Sequence, residues 1–304
     1  MKKFWKATLF PGLFCILAGL ILAAILVIGY PDELREHADE FSINEDNFFE
    51  LFVNIGAIKE GMKPQVADTN ATYHFAAENT EAITGVVFEI AVGDVEIRNG
   101  DSMEVVITDV LEGAISSYEE DGIWYITDSL LGSVQTEYCP NFTITIPKDS
   151  AFEHMNIYLA AGRMDADKLA AGDMCLKVDA GSLKVFHLVA ENSLTVENGA
   201  GEVRLYDAEA ANLTVNQGVG AIDITGDITG NNKIKGGIGE INLSLTNRPE
   251  INFNYRVSGG LGEVEIGNRS IHGDSENFSF DHETADFFEI DCGIGKVKIE
   301  VNGY

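Results

Sequence analysis

The segment GGIGEINLSL, Gly236–Leu245, contains the pattern that decides the fold. After Gly239, the apolar residues Ile241 and Leu243 alternate with polar residues such as Asn242. Successive side chains of a β-strand point to opposite faces, so this spacing predicts a strand with one buried and one exposed face. The glycines that precede the strand need a separate explanation, because glycine weakens a strand.

The same pattern recurs along the chain when it is aligned on one glycine. The central copies are 19 or 20 residues apart, and the last two spacings are 23 and 33 residues. The second and fourth residues after the glycine are apolar in every copy, the third is polar, and the residue just before the glycine is apolar. The repeat glycines are Gly93, Gly162, Gly181, Gly201, Gly220, Gly239, Gly262 and Gly295.

A repeat this short cannot bury its own apolar face, but stacked copies can. Identical columns at this period predict parallel strands ~4.8 Å apart around one thin, continuous apolar core. We therefore predict an all-β domain, a stacked-coil β-solenoid with repeats of ~19 residues. Each repeat glycine is expected at a corner, where a side chain would crowd the next coil or the backbone needs a positive φ.

The calcium-binding β-roll is the alternative explanation for the glycines. Its repeat reads G-G-x-G-x-D-x followed by an apolar residue. The aspartate position falls two residues after the repeat glycine, where this chain has Ile241 and an apolar residue in every other copy. Because calcium needs several carboxylate and carbonyl oxygens, the sequence argues against the β-roll.

The N-terminus predicts a membrane anchor. Residues 7–29 form an uncharged apolar run of 23 residues, and a bilayer-spanning helix needs ~20. Lysines precede the run, which predicts a short cytoplasmic tail over 1–6 and a C-terminal body outside the cytoplasm. A cleaved signal peptide is the alternative, although its apolar region is usually ~7–15 residues long. The body divides into a juxtamembrane segment, 30–79, and an extracytoplasmic β-repeat domain, 80–304.

Two features outside the regular repeats carry further expectations. Phe48, Phe52 and Ile55 have helical spacing, so a short amphipathic helix is predicted to cover an open end of the sheet. Pro140 and Pro147 bracket a strand pattern, and proline cannot donate to a sheet ladder. This strand is therefore predicted at an edge or an end of the sheet.

The net charge of −29 argues against some partners. Such a body repels nucleic acid and anionic lipid headgroups. The charge either keeps an exposed protein soluble or offers a surface for divalent cations. No nucleic acid partner is expected.

No catalytic, metal-binding or cofactor-binding residues are predicted. The histidines are scattered, and GGIGE and GGLGE are not followed by a helix whose N-terminus could hold a phosphate. The segment SFDHETAD, 279–286, has the composition of a weak metal site but also that of an ordinary polar loop. An enzyme acting on glycans would need two carboxylates at a fixed separation, and the sequence marks out no such pair.

Two sets of residues are candidates for a binding surface. The outward column three residues after the glycine contains charges of both signs, which form either a stabilising ladder or a binding surface. They are Asp165, Lys184, Arg204 and Asp223. Aromatic residues outside the regular coils are expected to cap the two ends, and a patch for a glycan or a partner protein is the alternative. They are Tyr118, Trp124, Tyr125, Tyr138, Phe278, Phe280, Phe287 and Phe288.

Three segments carry a resemblance to a known family. TITIPKDSAFEHMNIYLAAGRMDADKLAAGDMCLKVDAGSLKV, LTVENGAGEVRLYDAEAANLTVNQGVGAIDITG and FEIDCGIGKVKIEV resemble the toast-rack, "putative adhesin" family of bacterial envelope proteins. The resemblance covers about residues 83–301. It implies a solenoid-like domain displayed outside the membrane, linked to adhesion or to membrane-stress sensing, and it supplies no catalytic residues.

The sequence therefore predicts a membrane-anchored extracytoplasmic binding module without catalytic activity. The expected partner is a membrane signalling protein or an envelope polymer such as a glycan. A glycan-active enzyme and a purely structural envelope protein remain the alternatives, and the oligomeric state stays open.

Overall fold

A computed structural model describes residues 71–131, 138–150, 152–246, 248, 252–258, 261–272, 278–282 and 284–301. The predicted anchor over 7–29 and the predicted amphipathic helix near Phe48 lie outside these residues. Among the residues described, no helix is long and apolar enough to cross a membrane. The domain boundaries proposed from the sequence stay predictions.

The described chain is all-β, with one short 3-10 helix at Thr80–Ala82. Fourteen strands join in one hydrogen-bonded sheet. In chain order they are β1 Ala71–Ala76, β2 Gly85–Gly100, β3 Glu104–Val110, β4 Ile115–Glu120, β5 Ile123–Asp128, β6 Asn141–Pro147, β7 Phe152–Ala211, β8 Leu213–Thr229, β9 Asn231–Leu245, β10 Asn254–Ser258, β11 Glu263–Ile266, β12 Arg269–His272, β13 Phe278–Phe280 and β14 Phe287–Val301.

The long strands stack in parallel with glycine beside glycine. Gly93 of β2 pairs with Gly162 of β7, and Gly220 of β8 pairs with both Gly201 and Gly239. The strand β7 winds through several consecutive coils without a break. This register is the stacked-coil arrangement that the repeat spacing predicts.

Each regular coil has three sides. From Gly181 to Ala200, buried residues alternate with less buried ones in three short runs, and non-buried residues separate the runs. Those separators mark the corners, where the chain turns and both neighbouring side chains point away from the core. The inward residues of this coil are Leu183, Val185, Leu188, Ala190, Leu194, Val196 and Asn198.

The two ends of the stack do not follow chain order. At one end, β14 lies between β9 and the coil formed by β10 and β11, so the last coil in sequence is not the last in space. At the other end, β5 and β6 pair with β2 on the side away from β7. Antiparallel strands flank both terminal coils, namely β4 and β3 at one end and β13 and β12 at the other. Such flanking strands pair the backbone of coils that would otherwise be open edges.

The expectation for the proline-bracketed strand was wrong. The strand β6 lies inside the sheet, between β2 and β3. Pro140 precedes the strand and Pro147 is its last residue, so neither removes a donor from the interior of the ladder. The sheet also begins earlier than residue 80, because β1 pairs with β3.

The predicted aromatic caps are partly found. Trp124 of β5 is fully buried and packs edge-on against Phe88, with ring centres 5.8 Å apart. Phe288 is fully buried near the other end of the stack. Tyr118 is different, because it is exposed and stacks on Tyr125 at the surface.

Candidate functional site

The eight predicted glycines lie along one corner of the stack. Six of them have φ between 126° and 143°, a region that other residues rarely adopt. A Cβ on Gly201 would lie 1.9 Å from the carbonyl oxygen of Gly181. Gly93 and Gly262 lack the positive φ, but a side chain on them would meet Phe142 or Cys292. The column is therefore part of the scaffold, and close backbone approach explains it without a metal.

Buried amides hold the same corner from the inside. The side-chain amide of Asn198 donates to the carbonyl of Gly201 at 3.1 Å. The amide of Gln217 donates to the carbonyls of Gly220 at 2.8 Å and Glu240 at 2.9 Å. These bonds fix the corner, so the strands that leave it present their outward side chains at constant spacing.

An exposed aliphatic column lies beside the glycines. Val219 and Ile294 are both strand neighbours of Ile238, and Leu261 donates its backbone N–H to the carbonyl of Gly293. These four side chains, hereafter the aliphatic column, are 43% to 57% exposed. In the sequence, each of the four lies between two glycines. The preceding copies have mainly alanine at this position.

A pair of aromatic side chains stands on the side of the stack that follows the glycine corner. Phe186 and Tyr206 both occur five residues after a repeat glycine, on neighbouring coils. Their rings are 18° from parallel, with centres 5.9 Å apart. Phe186 is 45% exposed and Tyr206 is 40% exposed. We call this pair the aromatic ledge.

Two cations accompany the ledge within a protein that is acidic overall. The ammonium group of Lys184 lies 5.9 Å from the centre of the Phe186 ring. Within the described residues Lys184 forms no ion pair. Arg204 contacts Glu202 on its own strand, and its Nε lies 3.9 Å from a carboxylate oxygen of Asp223 on the next coil. Within the described residues, the charged column predicted from the sequence therefore forms a cross-strand ion pair at Arg204, but not at Lys184.

Small polar side chains follow the ledge along the stack. Thr225 and Ser244 stand five residues after the next two repeat glycines, where the preceding coils have aromatic rings. The Asn242 amide donates to the Asp223 carboxylate at 2.9 Å. These four half-buried residues, hereafter the polar shelf, lie beside Tyr206 on the same side of the coils.

A local irregularity sets the outer boundary of the ledge. The pairing of β7 with β8 shifts between Leu205 and Ala208, where β7 has an additional residue. Asp207 has a φ of 44° at this point, and its carboxylate lies 2.8 Å from Nδ1 of His187. This contact joins the corners that follow Phe186 and Tyr206, so it holds the two coils together beside the rings.

Titratable side chains of the described part outside the ledge and the shelf include a buried carboxylate, that of Asp128. No group of three or more His, Cys, Asp or Glu side chains able to hold a metal ion occurs among the residues described. Burial raises the pKa of Asp128, whose carboxylate accepts hydrogen bonds from the backbone of Ala91 at 3.3 Å and Leu130 at 2.9 Å. A buried carboxylate held this way supports a corner of the fold.

The segment with metal-site composition is used for structure. Asp286 accepts a hydrogen bond from the backbone N–H of Gly230 at 2.7 Å and pairs with Arg248 at 2.7 Å. The backbone N–H of His282 donates to the Asn254 side chain at 2.6 Å. These contacts attach the segment to the neighbouring strands.

One family model matches most of the repeat domain. A family model described as Toastrack DUF4097 matches residues 83–286. The chain belongs to this family. The resemblance drawn from the three quoted segments is thereby confirmed. A comparison with curated proteins finds no match.

Several solved structures are similar to the chain at low identity. A "putative cell adhesion protein" from Clostridium sporogenes is 13% identical, covers 76% of this chain and 99% of its own, and has a TM-score of 0.32. A "putative adhesin" from Bacteroides fragilis has 14% identity, 79% and 100% coverage and a TM-score of 0.37. A "putative lipid binding protein" from Parabacteroides distasonis has 13% identity, 78% and 96% coverage and a TM-score of 0.38.

Sequence reasoning missed the aromatic ledge, although a signal was present. The alternating columns described above end four residues after the glycine, one position before Phe186 and Tyr206. The next column contains these two aromatics on consecutive coils, followed by the small residues Thr225 and Ser244. The exposed aliphatic column was visible as an apolar position in every copy, but only the structure places it outside the core.

Proposed function

We propose that this protein is a membrane-anchored extracytoplasmic binding module without catalytic activity. The observation that carries the proposal is the aromatic ledge, a stacked pair of half-exposed rings on a rigid, repetitive scaffold. Tyrosine and other aromatic side chains on ordered surfaces are typical contact residues for partners. The flat sides of stacked coils are likewise the surfaces that repeat proteins use for binding.

The anchor is part of this proposal. The apolar run over residues 7–29 would hold the body at the outer surface of the membrane, with the tail over 1–6 in the cytoplasm. The strong negative charge of the chain suits a body that stays extended from the membrane rather than lying on anionic lipid. The partner would be an envelope polymer, such as a glycan, or a membrane signalling protein.

Crosslinking in the native membrane tests the proposal. Full-length protein would be crosslinked, purified and analysed for captured proteins and glycans. We expect the variant Phe186→Ala/Tyr206→Ala to lose the captured partner. Ile238→Ala is a matched control, because it also removes an exposed apolar side chain from the same stack.

The anchor is tested in the same experiment by replacing residues 7–29 with an unrelated membrane span. Loss of a captured membrane regulator on this exchange supports a sensing role beside a signalling protein. Retention of a captured glycan supports a role in adhesion. If the wild type and the double ledge variant capture the same partners, the proposed role of the ledge is contradicted. This holds with either membrane span.

A further inference from the structure

We propose that the aromatic ledge and the polar shelf together form a binding site for a neutral glycan. A hexopyranose ring would stack on the outer face of Tyr206, and its hydroxyl groups would bind to Asp223, Thr225, Asn242 and Ser244. The inference rests on the proposed binding function, because it names the ligand class for the same surface. It goes beyond that proposal by placing the site on the face of Tyr206 that is turned away from Phe186.

The stacking geometry leaves one face of Tyr206 available. Phe186 lies on the preceding coil and its ring is nearly parallel to that of Tyr206, so the pair covers one face of each ring. On the next coil, Thr225 lies opposite the register shift that contains Tyr206 and Asp207, and no aromatic residue stands there. The second face of Tyr206 therefore turns toward a short side chain that cannot cover it. The C–H groups of a sugar ring are apolar on one face, and such a face packs on an aromatic ring.

The shelf provides hydrogen-bonding groups beside that face. The Asp223 carboxylate is held between the Asn242 amide at 2.9 Å and the Arg204 guanidinium at 3.9 Å. These contacts occupy part of its acceptor capacity and leave lone pairs for adjacent sugar hydroxyls. Thr225 and Ser244 add hydroxyl groups that both donate and accept. Aromatic stacking beside a carboxylate, an amide and hydroxyls matches the mixed apolar and polar surface of a sugar.

The size of the shelf fits a saccharide. Its residues come from the two coils that follow Tyr206, so it extends about 10 Å from the ring at one strand spacing per coil. The strands β8 and β9 are parallel and pair in register from Ile222 to Gly226, which fixes the backbone of the shelf before any ligand binds. A pre-formed site of this kind loses little conformational entropy on binding.

The charges favour a neutral glycan over an anionic polymer. Asp223 belongs to the site and Glu202 contacts Arg204 beside it, and the whole chain carries a net charge of −29. Arg204 is already engaged by both of these acids, which leaves Lys184 as the cation for an anionic ligand. A carboxylated or phosphorylated chain would meet more negative than positive charge here.

The test measures binding of purified full-length protein in detergent to neutral saccharides. The probes are methyl glycosides of common hexoses and neutral hexose oligosaccharides, with a polyuronic acid as the anionic comparison. Saturation-transfer NMR identifies bound saccharides, and calorimetry gives their dissociation constants. We expect at least one neutral saccharide to bind and the polyuronic acid to bind more weakly.

Variants locate the site. We expect Tyr206→Ala to weaken binding about tenfold, since the stacking surface is removed, and Tyr206→Phe to keep most of the affinity. Asp223→Asn should weaken binding about tenfold through loss of a charged acceptor. Tyr118→Ala is the matched control, because Tyr118 is also a half-exposed ring stacked on an aromatic neighbour, at 4.7 Å from Tyr125. Circular dichroism confirms that each variant is folded.

The outcomes separate this inference from the proposed function. Equal weakening by Tyr118→Ala and Tyr206→Ala would overturn the location of the site. Failure of every neutral saccharide to bind would overturn the glycan assignment. If the double ledge variant still loses its crosslinked partner in that case, the binding function stands and the partner is a protein or a polymer other than a neutral glycan. If that variant also keeps its partner, both proposals fail.

Discussion

At the scale of single residues, the repeat glycines matter because of backbone approach between coils. Gly201 has a φ of 140°, and its missing side chain leaves room for the carbonyl of Gly181. Both effects act at the same residue, so no other amino acid fits without displacing the neighbouring coil. The displacement would pass to the outward side chains of the same coil, among them Arg204 and Tyr206.

We predict that Gly201→Ala destabilises the protein by more than about 3 kcal/mol. A φ that only glycine favours costs of order 1–3 kcal/mol, and the contact with Gly181 adds to it. The measurement is the shift of the urea unfolding midpoint, taken with the slope of the transition. Gly113→Ala is the matched control, because Gly113 has a φ of 79° but nothing within 4 Å of an added Cβ. Equal losses for the two variants would show that the close approach contributes nothing.

At the scale of elements, the ends of the stack depend on contacts that join segments distant in sequence. The chain leaves the regular coils after β9, forms β10 to β13 and returns as β14, which pairs with β9. Arg248 lies in the segment between β9 and β14, and its side chain is only 7% exposed. It pairs with Asp286 at 2.7 Å and donates to the carbonyl of Ile228 at 2.7 Å. Arg248 therefore attaches both the beginning and the end of this segment to the stack.

We predict that Arg248→Ala destabilises the C-terminal end of the stack by about 3–5 kcal/mol. Removing the buried arginine leaves the partly buried Asp286 carboxylate with the Gly230 N–H as its remaining hydrogen-bond donor among these contacts, and breaking such a pair is strongly destabilising. Hydrogen exchange should show faster exchange over β10 to β14 than over β7.

A matched control is Lys148→Ala, which breaks the exposed pair with Asp101 and should cost at most about 1 kcal/mol. Uniformly increased exchange along all coils in Arg248→Ala would mean that the pair supports the whole stack rather than its end.

At the scale of the whole molecule, a thin apolar core and aligned glycines are sufficient to explain the fold. The inward columns are filled by aliphatic side chains, and the buried amides of Asn198 and Gln217 bond to the backbone. The strong negative charge would then act mainly through repulsion over the surface, which salt screens. Folding should accordingly be independent of divalent metal.

We predict that EDTA leaves the melting temperature of the full-length protein unchanged within about 2 °C. A metal that binds the folded state would raise the melting temperature by mass action, so its removal would lower it. Sodium chloride at matched ionic strength controls for general screening of the acidic surface. A fall of several degrees that calcium restores, and sodium does not, would establish a divalent-cation site and contradict the prediction.

Much of the candidate site could be predicted from the sequence once the register was known. The outward position of Lys184, Arg204 and Asp223 follows from the alternation, because the strand period is two. The repeat spacing also places Thr225 on the coil after Tyr206, whereas the register shift at Tyr206 and Asp207 appears only in the structure. The exposure of the rings does not follow, since an aromatic side chain next to a corner can fold over the core or stand in solvent. Their stacking depends on the tertiary distance between coils.

The sequence by itself determined the repeat unit, its register, the inward and outward columns and the family. These features are local and periodic, so each copy of the repeat meets the same physical requirement. Only the tertiary structure decided the order of the terminal coils, the interior place of β6 and the exposure of the aliphatic column and the aromatic ledge. Those features depend on which distant segments pair at the ends of the stack and on how closely neighbouring coils approach. A periodic pattern cannot specify such long-range pairings, because every copy offers nearly the same edge to its neighbours.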